Sequence, residues 1–158
     1  MKDIIWAVVI LVIALGVSAW YKASQKNKGN IIDRARDFAE YAEIFTLKPI
    51  TDEEFMAAIK KANFPAVNNT KVSRAESGAI YLEVGSYFKS KITPKEKTED
   101  KSVYRYEFIS WSSKHGKPEH DIEMNRQMTS VEKMFLDLDP NTQVATVKNE
   151  IKTKRDLF

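Results

Sequence analysis

Two histidines, His115 and His120, flank a turn built on Gly116 and Pro118. Glu119, Asp121 and Glu123 lie beside them in sequence. Imidazole and carboxylate groups are ligands for zinc, and a zinc-bound water is a hydrolytic nucleophile. This cluster is the one place in the chain where a small metal-dependent hydrolase could be built. The spacing matches no familiar ligand motif, and the donors straddle a turn and a helix start. We therefore assign no metal site and no catalytic residue. Ser110, Ser112 and Ser113 come shortly before, without the Gly-x-Ser-x-Gly elbow that activates a serine. The carboxylate pairs Glu53/Glu54 and Asp137/Asp139 fall at expected helix ends, where ordinary capping explains them.

Composition narrows the classes further. Five glycines leave little material for a phosphate-cradling loop, and no cofactor is implied. There is no cysteine, which excludes disulfides, thiolate metal sites, a cysteine nucleophile and a cysteine-linked lipid. The 25 Lys+Arg against 22 Asp+Glu leave a net charge of +3, too mild to point to nucleic acid. The 158 residues allow one ordinary domain.

The hydrophobic residues are unevenly placed. Ile4 to Tyr21 reads IIWAVVILVIALGVSAWY, without a charge. As a helix it spans roughly 27 Å, close to a thin hydrocarbon core. Ile4, Leu11 and Leu15 are typical of its body, Trp6 lies near one end, and Trp20 with Tyr21 marks the other. Aromatic rings at both ends suit two membrane interfaces. A single-pass membrane helix over 1–21, seated in a lipid bilayer, is the expectation. The alternative is an exported soluble domain, released by signal cleavage near Ala19 after the small residues Gly16 to Ala19. The short start Met1–Asp3 argues against cleavage. Counting Lys and Arg alone puts the C-terminal side in the cytoplasm. The signal-like end and a strand-containing body place that domain outside it, and the balance falls on extracytoplasmic.

Residues 22–30 read as a basic juxtamembrane linker, with Lys22, Lys26 and Lys28 beside the lipid headgroups. The domain expected over 31–158 is α+β. Asn30 is a candidate cap for an amphipathic helix over 31–46. Ile31, Ala35, Phe38, Ala42 and Phe45 would form its apolar stripe, a possible interaction face for a protein partner. Thr51 to Glu54 reads as a capping box that opens a helix ending near Asn63, before Phe64–Pro65. Residues 66–77 look irregular, and Asn68–Asn69–Thr70 matches a glycosylation acceptor.

The period then changes to two. Ile80, Leu82, Val84, Phe88 and Ile92 share one side of a strand over 79–92. Tyr104, Tyr106 and Phe108 alternate with charges in a second strand over 102–112. The alternation slips at Ile109 and Trp111, which predicts a bulge or the strand's end. Thr93 to Lys101 reads as an exposed hairpin loop between them. The tyrosines and Phe108 are read as packing, not as a base-stacking platform. A long helix over 119–138 carries Met124, Met128, Val131, Phe135 and Leu138 at heptad spacing. Thr142 to Lys152 suggests a last strand. The expected whole is a membrane helix followed by helices packed on an antiparallel hairpin or short sheet. Its expected role is a membrane-anchored interaction domain or accessory subunit.

Overall fold

The computed structural model describes Val17, residues 19–149 and the backbone of 154–156. The chain divides into two compact units, Met1–Asp33 and Arg34–Phe158.

In the first unit, residues 19–27 are helical. The basic stretch expected to be a linker therefore begins as helix. Gly29 ends it with φ of 66°. The Asn30 N–H donates to the Gln25 carbonyl at 2.9 Å, and the Gly29 N–H to that of Lys26 at 2.9 Å. These two bonds form a Schellman motif, which needs a left-handed residue at the glycine. The Asn30 amide also donates to the Gln25 side chain at 3.0 Å, and Lys26 pairs with Asp33. Ile4, Trp6, Leu11 and Leu15 of the expected membrane span lie outside the described residues. Among the described residues, no helix is long and apolar enough to cross a membrane. Trp20 is 70% exposed.

The second unit is α+β. Its strands are β1 (Tyr41–Leu47), β2 (Lys71–Arg74), β3 (Ile80–Val84), β4 (Phe88–Lys97), β5 (Ser102–Lys114), β6 (Lys117–Pro118), β7 (Gln143–Lys148) and β8 (Lys154–Asp156). The helices are α1 (Asp52–Ala62) and α2 (Asp121–Leu138). The sheet runs β2-β3-β4-β5-β1-β7, and β6 and β8 pair with the far end of β5. Neighbours are antiparallel except β5 and β8.

The expected helix over 31–46 does not form. Residues 31–35 are irregular, Phe38–Glu40 is a single 3₁₀ turn, and the rest is β1. The physical reason is that polarity does not follow facing. Glu43, Phe45 and Leu47 are buried on one face, while Ala42 and the half-buried Ile44 lie on the other. With a carboxylate at an inward position and apolar residues at outward ones, the sequence shows no alternation, and Ala42 with Phe45 mimics a helical stripe. The local composition, Tyr-Ala-Glu-Ile-Phe-Thr-Leu, favours a strand.

The first helix forms as its capping box requires. The Thr51 hydroxyl accepts from the Glu54 N–H at 3.1 Å, and the Glu54 carboxylate accepts from the Thr51 N–H at 2.7 Å. Asn63 closes it in the left-handed region. The expected strand over 79–92 is two strands, β3 and β4, joined by a tight turn at Gly85 (φ 52°). Inward positions Ile80, Leu82, Val84, Phe88 and Ile92 are all buried, as the alternation predicts. The loop expected over 93–101 is shorter, because β4 continues through Thr93 and Pro94 to Lys97. Proline is tolerated there because β3 pairs no further than Ile92. From Thr93 onward β4 has a neighbour only on the β5 side, the edge position at which sheets admit proline.

Helices α1 and α2 cover one face of the sheet. Phe135 of α2 stacks on Phe45 of β1 with ring centroids 4.3 Å apart. Phe55 of α1 stacks on Tyr104 of β5 at 4.6 Å and lies 6.3 Å from Phe135. The Asp139 carboxylate follows α2 and accepts from the N–H groups of Lys48 and Asn141 at 2.9 and 3.0 Å. Those donors hold its pKa below the usual carboxylate range.

Two stability outcomes follow. Phe135→Ala leaves a cavity where four elements meet and costs about 3–5 kcal/mol. Thr51→Ala removes half the capping box and costs about 1 kcal/mol. Denaturant unfolding followed by circular dichroism measures both.

Candidate functional site

The charged residues drawn together inside the second unit are Arg34, Glu43 and Glu132. Glu43 lies on β1 with the same parity as Phe45 and Leu47, so it points toward the helices. Asn125, Thr129 and Glu132 recur at helical spacing on α2 and present one polar stripe. Arg34 enters from the stretch before β1. Its Nη2 donates to Glu132 Oε2 at 2.7 Å and to Thr129 Oγ1 at 3.3 Å. Its Nε donates to Asn125 Oδ1 at 3.3 Å, and its Nη1 reaches Glu43 Oε1 at 3.5 Å. The three charged side chains are 9%, 6% and 17% exposed.

One guanidinium faces two carboxylates, so the cluster carries one negative charge too many for its burial. The better geometry goes to Glu132. Glu43 Oε2 has no hydrogen-bond partner among the described residues. Burial first, then the hydrogen bond and repulsion from Glu132, push the Glu43 carboxyl up to about 8, with Arg34 opposing. The excess charge is thus relieved by a proton on Glu43 near neutral pH. This cluster holds one exchangeable proton and ties the stretch before β1 to α2. It resembles acid–base sites in its shifted carboxyl and differs in being closed on its own partners.

A second buried network lies beside it. Gln127 accepts from Ser90 Oγ at 2.6 Å and from Tyr106 Oη at 3.2 Å, and donates to Thr70 Oγ1 at 3.2 Å. Burial drives the Tyr106 phenol well above its ordinary range. These bonds fix α2 on β4 and β5. The opposite sheet face carries paired charges. Glu107 meets Lys91 at 3.2 Å and Arg105 at 2.9 Å, and Glu83 pairs with Lys89.

The residues singled out in the sequence are not brought together. His115 sits exposed in the β5–β6 turn with φ of 53°, and its carbonyl accepts from Arg36 at 2.7 Å. The His120 ring packs on Tyr87, centroids 4.3 Å apart. Glu119 accepts from Ser112 at 2.8 Å, and Asp121 pairs with Lys117 at 2.8 Å. Among the described residues, no group of three His, Asp or Glu side chains could hold a metal ion. Asn68 spends its amide on the Glu123 carbonyl at 2.7 Å, and Thr70 is buried, so the glycosylation tripeptide is a structural turn. Tyr104, Tyr106 and Phe108 are core residues.

Phe38, Ala42 and Phe45 of the expected interaction stripe are likewise buried, and Ala35 belongs to an irregular stretch. Ile31 falls in the first unit, as do the exposed Lys22, Lys26 and Lys28. The reading of 31–46 as helix set Arg34 on a solvent face and hid its two partners. The signal that finds them is Glu43, a carboxylate at an inward position of a strand. Such a group requires a buried cation or a proton.

A groove of about 400 Å³ separates α1 from α2. Ala58, Ala62, Met134 and Leu138 give it an apolar floor. Glu54, Lys133 and the Lys61–Asp137 pair, 3.1 Å apart, supply charges of both signs at its rim. Small side chains on α1 leave room that larger ones would fill.

Comparison with protein families, curated proteins and solved structures finds no match for this chain. Its own residues carry the functional reading.

Two outcomes test the cluster. A carboxyl raised from 4.5 to about 8 stabilises the fold fully below pH 4.5, and that contribution is lost as pH rises through 8. The unfolding free energy therefore declines between pH 5 and 8, and Glu43→Gln flattens that decline in urea titrations. Arg34→Met leaves two buried carboxylates facing each other and destabilises by about 3–5 kcal/mol at pH 8.

Proposed function

We propose that this protein is a membrane-anchored interaction domain, an accessory subunit that holds a partner protein at the bilayer. The N-terminal apolar sequence, ending in Trp20 and Tyr21 before Lys22, Lys26 and Lys28, supplies the anchor in this reading. The observation that carries the binding role is the α1/α2 groove. Its floor is apolar, its rim carries both charge signs, and its lining residues all belong to α1 and α2. An amphipathic helix of the partner fits that chemistry, laying its apolar stripe between α1 and α2. Charged residues along its flanks would answer Glu54 on one side and Lys133 on the other.

The chemistry-bearing side chains support a non-enzymatic role. The histidines and their neighbouring carboxylates are engaged in turns, ion pairs and ring packing. The raised carboxyl of Glu43 serves Arg34 and Glu132 within the fold.

A photo-cross-linking residue at Ser130 tests the groove in intact membranes. The expected result is a discrete heteromeric adduct that disappears when Ala57→Trp fills the groove. Recovery of the chain with no adduct, at yields equal to a control probe at Tyr87, would sink the reading. Protease treatment of sealed vesicles of known sidedness tests the anchor. A C-terminal tag on the extracytoplasmic side is the expected outcome.

A further inference from the structure

The sheet ends in two edges of different character. β2 closes one side with four residues, and two of them, Lys71 and Arg74, are charged. A short, charged edge discourages pairing with another chain. β7 closes the other side with six residues, Gln-Val-Ala-Thr-Val-Lys. It contains no proline, no glycine and one charge. Its pairing with β1 runs from Gln143 to Lys148 with no register shift, so no bulge twists it away. All six side chains are exposed, with Val144 at 46% and Val147 at 37%. β7 therefore adds little to the core, and its β1 ladder is what holds it. Among the described residues no strand lies beyond it, and alternate residues direct N–H and C=O groups outward.

We propose that β7 is the pairing edge of a homodimer, in which two copies join β7 to β7, antiparallel, into one continuous sheet. The strand's own sequence favours a second copy as the occupant. A twofold centred on Ala145 sets Val144 opposite Thr146 and Lys148 opposite Thr142. A twofold centred on Thr146 sets Ala145 opposite Val147 and Lys148 opposite Val144. In neither register does Lys148 meet its own copy, so the single charge does not oppose pairing. The joint is isologous and closes at two chains, because among the described residues β7 is the one end of the sheet path left unblunted. The contact is one strand wide, below the area of a standard stable interface. The dimer is therefore weak and concentration-dependent in solution. Confinement to a membrane, which rests on the function proposed above, would raise the effective concentration. Pairing through β7 does not depend on the groove having an occupant.

The natural absence of cysteine makes the test clean. Full-length Ala145→Cys and Thr146→Cys are each oxidised mildly in detergent micelles. Cα atoms paired across an antiparallel twofold lie about 4.5–5.5 Å apart, within disulfide reach. At least one of the two variants is expected to give a disulfide-linked dimer, while Ser73→Cys on β2 stays monomeric. Adding Val144→Lys and Thr146→Lys to Ala145→Cys places lysines opposite one another or opposite Lys148 in both registers. These exposed substitutions should leave the circular dichroism spectrum unchanged and reduce dimer yield at least tenfold. No dimer at either central position, equal dimer at Ser73, or yield unaffected by the lysines with the spectrum retained would each overturn the proposal.

Discussion

The second unit is organised around one aromatic ring. Phe135 lies where α1, α2, β1 and β5 converge, stacked on Phe45 and within 5.3 Å of Tyr104 and 6.3 Å of Phe55. Large rings remove more apolar area from water than any other side chains, and offset stacking fixes their relative angles. That constraint sets the distance at which the helices ride on the sheet. It also decides which strands are structural. β1, β4 and β5 lie under the helices with buried inward residues, while β2 and β7 extend beyond the covered area.

The polar interior is tolerable because of that same layer. Gln127, Ser90, Tyr106 and Thr70 satisfy one another at positions where aliphatic side chains would pack without direction. Arg34, Glu43 and Glu132 do the same with charge. Buried ion clusters seldom add net stability over apolar residues of similar volume, because removing charges from water is costly. Their geometric demand is greater than their energetic return. Here the demand locks a stretch that has no regular structure of its own, residues 34–37, against the middle of α2.

Legibility from sequence followed burial. Elements covered on one face announced themselves: α1 by Thr51 and Glu54, α2 by its methionines and Phe135, β3 by Ile80, Leu82 and Val84. β1 did not, because its inward Glu43 is charged and its outward Ala42 and Ile44 are apolar, which erases the period that distinguishes strand from helix. β2 was missed because its Val72 is the lone apolar residue among Lys71, Ser73 and Arg74, and only pairing with β3 makes it a strand. The ionic cluster was missed for the same reason as β1. Glu132 is far in sequence from Arg34 and Glu43, and only the correct parity of one strand turns Glu43 inward. The open groove was not legible at all, since it arises from the spacing between two helices and not from either one.

The slip in alternation at Ile109 has a wider meaning. β5 faces Lys89 with Ser110 and Ser90 with Phe108, so Ile109 is the unpaired extra residue. Before it, even-numbered Tyr104, Tyr106 and Phe108 are buried, and after it, odd-numbered Trp111 and Ser113 are. One strand is thus written in two reading phases, with Ile109 as the frameshift between them. Deleting it would join Phe108 to Ser110, which already faces Lys89, and leave Trp111 opposite Phe88. The ladder would become regular, and the segment that β6 and β8 pair with would keep its facing. What the extra residue contributes is the local bend and added twist of a bulge, placed just before that segment.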